Sequence, residues 1–326
     1  MGKAPSDMFF ESEVRPEYEG RLLLDSLCDR FTYHSREDWI DRLTRGLVTI
    51  NGVTANVDTV AHRGDKVVYH VENYSEPDVP TDFETVFEDD EFILVSKPAG
   101  VPVHHTGRIF YNTFAAIIRR EFDSETATPM HRLDRDTGGL ILFARYGETA
   151  ARFQKNLDRI LLRKFYLAVV RGNFPEGETD CHMPLREDPE DPIRLRMHHR
   201  DDGKECFTRF KFLRRLNAPE IAPELSLVEA ELMTGRKHQI RAHLAEMGYP
   251  IVGDRLYYRD GAYYEKLSQG GELTDDDIKV LGAHNQMLFA YKVELQLPYW
   301  KEPRVFESRA FPEDMAKLLR ENVESL

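Results

Sequence analysis

The chain has 326 residues, with 44 Lys and Arg against 57 Asp and Glu and 41% hydrophobic positions, enough for one large or two smaller domains with a buried core. No apolar run reaches the ~20 residues that a membrane-spanning helix needs. Three scattered cysteines, Cys28, Cys181 and Cys206, exclude a disulfide framework and a zinc ribbon, and the formal charge of −13 weighs against a polyanion partner.

The opening stretch MGKAPSDMFFESEV holds no apolar segment of signal-peptide length, so no membrane contact and a reducing cytoplasm are expected. The charge is unevenly spread. Nine acids between Glu72 and Glu91, with no Lys or Arg among them, carry most of the excess. A polyanion responds to the local field at its docking face, so net charge leaves nucleic acid open.

Residues 15–72 read as a small α+β module. Leu22, Leu23 and Leu24 open an apolar helix that runs through Leu27. Ser35, with Asp38 three residues on, is a capping-box pattern for a second helix bearing Trp39, Ile40 and Leu43, and Gly46 stands where it should end. Val48-Thr49-Ile50 followed by Asn51-Gly52 is a hairpin signal, and Gly64-Asp65 turns the chain into the alternating strand Lys66 to Val71. Residues 73–83, with Pro77 and Pro80 among acids, read as a solvated, self-repelling linker.

From residue 84 to 326 strands and helices alternate. Phe92 to Val95 is a short strand running into the turn Lys97-Pro98-Ala99-Gly100, and Asn112 caps a helix bearing Phe114, Ile117, Ile118 and Phe122. Gly139–Ala144, Lys164–Val170 and Leu225–Met233 read as strands. A helix starting at Thr234 or Gly235 carries Ile240, Leu244 and Met247 on one face and stops at Gly248 and Pro250. Residues 173–205 and 259–280 are polar and read as loops.

The densest polar cluster is the run His131-Arg132-Leu133-Asp134-Arg135-Asp136-Thr137, which feeds through a Gly pair into the apolar strand. Polar groups on a loop held by a rigid strand suit catalysis, and a capped turn with surface ion pairs is an equally good reading. The second cluster, Gly235 to His243, gathers basic groups at a helix N-terminus, which favours anions. A basic amphipathic face is its plainer reading, weakened because Arg241 adjoins Ile240 on the side that must pack. Tyr166 sits mid-strand with Ala168 and Val170, opposite to Phe165 and Leu167, as a core tyrosine or as a ring that stacks on a base. A phosphate loop, a dinucleotide fingerprint, a serine elbow and zinc-hydrolase or zinc-deaminase spacings are all missing.

The string HRLDRDTGGLILFAR (131–145) closely resembles the signature of the RluA-type pseudouridine synthases. VSKPAGVPVHH (95–105), KFYLAVVRG (164–172) and GRKHQIRAHL (235–244), followed by Gly253-Asp254-Arg255-Leu256-Tyr257, match further family segments in order. The N-terminal module is similar to the S-four RNA-binding domain in its Ser35-capped helix, the segment Gly46 to Gly52 and the Gly64-Asp65 turn. Gly138 stands where the family usually has serine, which should loosen the loop slightly, and the acidic linker is unusual for an RNA binder.

The resemblance implies an α+β fold with a mixed, largely antiparallel central sheet and flanking helices, plus the small N-terminal module. It implies uridine-to-pseudouridine isomerisation in RNA with no cofactor and no metal. Asp134 becomes the essential carboxylate, either forming a covalent bond to sugar or base or deprotonating the sugar. Arg241 becomes its ion-pair partner, and Tyr166 a ring stacked on the uracil that could also assist proton removal from C5. Arg132 would fill the space of the flipped nucleotide, and Arg236, Lys237 and His238 would contact substrate, the first two through phosphate. Ser35, Arg36, Arg42, Arg45, Asn51 and Lys66 would form a second RNA anchor, with His131 and Asp136 ordering the loop. Ribosomal RNA is the preferred partner, transfer RNA the next, and a monomer is expected. A non-catalytic RNA-binding protein that keeps the fold is the rival reading. A glycosidase carboxylate pair is a poor one, since Asp134 and Asp136 share one loop.

Overall fold

The computed structural model describes residues 6–106 and 109–322. The chain divides into two compact units, Met1–Asp78 with His105–Asn112 and Val79–His104 with Thr113–Leu326. No helix among the described residues is long and apolar enough to cross a membrane.

In the first unit, helices Leu23–Arg30 and Arg36–Thr44 pack with an antiparallel sheet ordered Asp7–Glu13, Lys66–Glu72, Val48–Ile50, Val53–Thr54. Their shared core holds Trp39, Leu23, Leu27, Leu43 and Val48. The Ser35 hydroxyl accepts from the Asp38 amide at 3.1 Å and the Asp38 carboxylate accepts from the Ser35 amide at 3.1 Å, completing the capping box. Asn51 and Gly52 both take positive φ, 50° and 80°, the turn that matches strand twist in a two-residue hairpin.

Two boundaries differ from expectation. The strand Asp7–Glu13 pairs along its length with Lys66–Glu72, so this body begins before residue 15. Its acids alternate outward on a half-buried strand, which in sequence resembles a charged tail. The acidic linker is also more than a spacer. The Glu76 carboxylate accepts from the amides of Phe110, Tyr111 and Asn112 at 2.6, 2.7 and 2.7 Å.

The second unit is built on a mixed sheet ordered Glu178–Cys181, Thr208–Leu216, Leu225–Leu232, Leu161–Arg171, Leu288–Leu295, Gly138–Ala144, Phe92–Lys97, Glu84–Glu88. Every neighbouring pair along that path is antiparallel except one. Gly138–Ala144 runs parallel to Leu288–Leu295 through just Gly138↔Phe289 and Gly139↔Ala290. The sheet is therefore two antiparallel halves joined at a short seam. Gly139 makes the seam possible, because at φ 111° a Cβ there would lie 2.3 Å from the Ala290 carbonyl oxygen.

Strand Leu161–Arg171 separates two cores. Tyr166, Ala168 and Val170 face one with Ile240 and Leu244, while Val169 and partly buried Leu167 face another with Met315 and Leu318 of helix Glu313–Glu321.

Three local expectations are corrected. Thr113, not Asn112, caps helix Phe114–Glu121, its hydroxyl accepting from the Ala116 amide at 3.2 Å. The helix expected from residue 234 or 235 starts at Gln239 and ends at Glu246. The Gln239 side chain explains the delay: its oxygen accepts from the Arg236 amide at 3.0 Å, and its nitrogen donates to the Phe207 carbonyl at 2.9 Å, tying the preceding segment into a loop. The stretches read as loops contain strands Glu178–Cys181, Leu185–Glu187 and Met197–His199 and helices Ala262–Ser268 and Asp275–Leu281. Elements this short leave little periodicity to read.

Candidate active site

The loop from His131 to Thr137 enters the Gly138–Ala144 strand and is held from several sides. The His131 Nε2 accepts the Leu142 amide at 3.1 Å, which leaves its proton on Nδ1. Leu133 is buried in the core. The Gln286 amide nitrogen donates to the Thr137 hydroxyl at 2.5 Å, and the Thr137 amide to the Asp134 carbonyl at 3.2 Å. Behind the loop, fully buried Lys97 donates to the carbonyls of Pro98, Val101 and Arg135 at 2.9, 2.8 and 3.0 Å. All three ammonium protons are used, and burial pulls the group down to about 7. Gly138 does not loosen this arrangement. It lies in the strand, and a Cβ there would already be 3.1 Å from the Phe289 ring.

This scaffold aims the Asp134 carboxylate into a cavity of about 510 Å³. Arg241, on the first turn of helix Gln239–Glu246, reaches it with Nη1 at 2.6 Å from Oδ2. The other edge of the same guanidinium is clamped by Asp254, with Nε to Oδ2 at 2.7 Å and Nη2 to Oδ1 at 2.8 Å. Asp254 Oδ1 also accepts the amides of Leu256 and Tyr257 at 2.9 and 3.0 Å. Arg241 is 7% exposed and Asp254 1%, so the guanidinium is a fixed bridge between two carboxylates.

Burial pushes the Asp134 carboxyl up, but the charge and hydrogen bond of Arg241 outweigh it and hold the acid below the usual carboxylate range. Burial, then Arg241, pulls His238 down to about 4, and burial, then Lys164, pulls His131 down to about 3. Both imidazoles are neutral at neutral pH. His238 stands at the helix N-cap at φ 54°, a left-handed backbone uncommon outside glycine that histidine tolerates better than most side chains, and its Nδ1 lies 3.2 Å from the Tyr257 hydroxyl. Its Nε2 is 3.8 Å from Asp134, beyond hydrogen-bond range. Tyr166 is 6% exposed, and burial, then Asp134, raises its phenol, so it stays protonated. As a phenol it can donate a hydrogen bond into the cavity.

All seven catalytic and substrate residues named from the sequence, Asp134, Tyr166, Arg241, Arg132, Arg236, Lys237 and His238, line this one cavity. Arg132 and Arg236 are exposed, whereas Lys237 is tied to Glu187 at 2.6 Å. Asp136 lies 3.6 Å from Arg255. The six residues expected to anchor RNA lie in the first unit, and each has an internal partner. Arg36 pairs with Asp25 at 2.9 Å, Arg42 reaches the Tyr69 hydroxyl at 2.7 Å, and Arg45 pairs with Glu72. Asn51 bonds Asp65 at 2.8 Å, Lys66 pairs with Glu11 at 2.7 Å, and Ser35 is the helix cap.

Sequence reasoning gave no role to Asp254, Lys97, Tyr257 or Lys164. All four lie inside matched strings, yet nothing in a string says that an acid clamps an arginine 13 residues away or that a turn lysine sits beneath a loop.

Residues 91–246 match the family model described as RNA pseudouridylate synthase. The chain is 31% identical over 326 residues to a ribosomal large subunit pseudouridine synthase D of Xanthomonas campestris, covering 97% of this chain and 93% of that one. It is 31% identical to an uncharacterized RNA pseudouridine synthase of Bacillus subtilis, covering 87% of each. It is 29% identical to a mitochondrial tRNA pseudouridine(32) synthase of Saccharomyces cerevisiae, covering 85% of this chain and 58% of that relative. Against that yeast protein and a rice RNA pseudouridine synthase 7, the match spans about three fifths of the relatives' length, 58% and 63%. Among solved structures, human RNA pseudouridylate synthase domain containing 1 has the same fold, with a TM-score of 0.53 at 20% identity over 76% of this chain and 96% of that one. The α+β architecture with its largely antiparallel sheet, the ordered motifs and relatives aligned along nearly their whole length agree, and the chain belongs to the RNA pseudouridylate synthase family.

Proposed function

We propose that this protein isomerises uridine to pseudouridine in RNA, with Asp134 as the reacting carboxylate. The observation that carries this reading is an acid held ionised in a cavity by a buried guanidinium at 2.6 Å. The reaction breaks the bond from N1 to C1′ and makes one from C5 to C1′, and the C5 proton is exchanged for one on N1. Nothing is oxidised or consumed. Asp134 either bonds covalently to sugar or base or takes a proton from the sugar, and either route needs the anion that Arg241 stabilises.

Tyr166 packs its ring against the nucleotide and keeps its hydroxyl proton. Arg132, exposed at the rim, is free to enter the stack that the flipped base vacates. Arg236 and Lys237 meet phosphate, Lys237 by exchanging a surface ion pair that is worth little. The first unit serves as an S-four-like RNA-binding module on the same reasoning, and the reducing cytoplasm suits the three free cysteines. Ribosomal RNA is the favoured substrate, because the relative named for the large ribosomal subunit aligns over 97% of this chain, the N-terminal unit included. A transfer-RNA substrate is the alternative that the yeast relative raises.

Mapping pseudouridines in total RNA with and without the protein tests both levels. Sites that vanish, and return with wild type but not with Asp134→Ala that still binds RNA, support the reading. A map that does not change, or an active Asp134→Ala, overturns it.

A further inference from the structure

Among the described residues, buried Lys97 and Arg241 and partly buried Arg196 are all partnered. Lys97 has three carbonyls, Arg241 two carboxylates, and Arg196 has Asp191 at 2.6 Å. Lys164 departs from that rule. It is partly buried on the wall of the candidate active site, and its ammonium makes no ion pair or hydrogen bond among the described residues. Burial alone draws it below the usual lysine range, with no acid to restore it. An ammonium that faces a cavity from a partly buried side chain and has no protein partner is open to an anionic group that arrives with the ligand.

Its place in the fold says which part of a ligand that is. Lys164 precedes Tyr166 by two residues on strand Leu161–Arg171, about 7 Å along the strand. Its charge is felt by His131, whereas the cations bearing on Asp134 are Arg241 and Arg132. It lines the same cavity as the Arg241–Asp134 pair without joining it. It is also less buried than Tyr166. A nucleotide with its base and C1′ at Tyr166 and Asp134 leaves its charged backbone towards the water-exposed rim.

Resting on the function proposed above, we propose that Lys164 is a phosphate subsite that takes one of the two backbone phosphates flanking the flipped uridine. The site is selective for a nucleotide within a strand over a free nucleoside. Unlike Lys237, it gives up no protein partner on binding.

The test uses the full chain and the RNA segment whose pseudouridine depends on this protein in the mapping experiment. Lys164→Met should weaken binding by about tenfold or more. It should lower the slope of log affinity against log salt by about one. It should leave the single-turnover rate at saturation within about twofold of wild type. The variant should unfold at the same or a higher temperature, because it loses an unpaired charge, whereas a structural lysine would cost stability. Substrates carrying one neutral methylphosphonate, placed 5′ or 3′ of the target, locate the contact. One of them should weaken wild type and leave Lys164→Met unaffected. If both substitutions weaken wild type and variant equally, the subsite is wrong. If saturating turnover collapses while affinity holds, Lys164 acts on the base and the proposal is likewise overturned. Wild-type turnover on this RNA, lost in Asp134→Asn, is the control. Without it the enzymatic reading falls and this one with it; with it, only the assignment of Lys164 is at stake.

Discussion

Arg241 serves two carboxylates with two edges of one planar group, and no other side chain can do that. Lysine would keep the charge but present a single point, so Arg241→Lys should retain Asp254 or Asp134 but not both. Turnover should fall by at least about a hundredfold, measured as the single-turnover rate on the mapped RNA. Arg241→Met leaves two unpaired acids in the interior, and a loss of about 3–5 kcal/mol in denaturant unfolding is expected. The pair also sets how stability depends on pH. Asp134 and Asp254 are both held below the usual range, Arg241 outweighing burial in each case. In the unfolded chain these acids take up protons near pH 4, at about the ordinary carboxylate value, while the folded ones resist. The unfolded state then binds more protons, so the contribution is complete above about pH 5 and is lost as the pH falls through the folded values. In Arg241→Met the counter-charge is lost while burial, the largest influence on both acids, remains, so this contribution shrinks. Unfolding midpoints recorded from pH 3 to 7 should therefore fall less steeply on acidification for the variant than for wild type, and parallel curves would count against the bridge.

At the scale of elements, the site depends on where strands meet. The Asp134 loop enters the Gly138–Ala144 strand, Tyr166 lies on Leu161–Arg171, and Leu288–Leu295 runs between them. The joint is the two-residue parallel seam at Gly139, where a methyl group would meet Ala290 backbone atoms at 2.3 and 2.6 Å with φ at 111°. Gly139→Ala should cost about 3 kcal/mol or more by strain and overpacking and should separate Asp134 from Tyr166, abolishing turnover. Stability within about 0.5 kcal/mol of wild type would show that the seam does not hold the site together. Elements of this kind differ in how far they can be read. The Ser35 capping box and the Asn51-Gly52 hairpin are local and visible in the chain, because each group bonds a neighbour a few residues away. The Gln239 brace, which delays its helix by bonding Phe207 and Thr208, depends on residues thirty positions back and leaves no local signature.

Over the whole molecule, an excess of 13 negative charges has to be reconciled with the proposed RNA partner. The ion-pair pattern offers the reconciliation. The basic residues named for the first unit each have an internal partner, and Lys237 is tied to Glu187, whereas Arg132, Arg236 and Lys164 line the cavity and form no ion pair within 4 Å among the described residues. About three phosphates, met by Arg236, Lys164 and Lys237 once it leaves Glu187, should be neutralised on binding, which predicts a slope of roughly −2 to −3 for log affinity against log salt. A slope of about −6 or steeper would mean that the first unit's ion pairs open to meet RNA as well. Binding isotherms between about 50 and 300 mM salt distinguish the two.

What the chain determines by itself is the set of participants. The HRLD loop, the QIR helix and the K-x-Y strand point to Asp134, Arg241 and Tyr166 through their resemblance to the family's segments, and their order along the chain is carried in the string. Local signals likewise place caps and hairpins, which arise between neighbours. Only the tertiary structure decided that 107 residues of separation close to a 2.6 Å ion pair, that Asp254 holds the far edge of the same guanidinium, and that Lys164 reaches the cavity without a partner. The physical reason is range. Protonation state, pairing and burial are set by whatever packs around a group, and in this fold those neighbours come from strands and loops far apart in sequence.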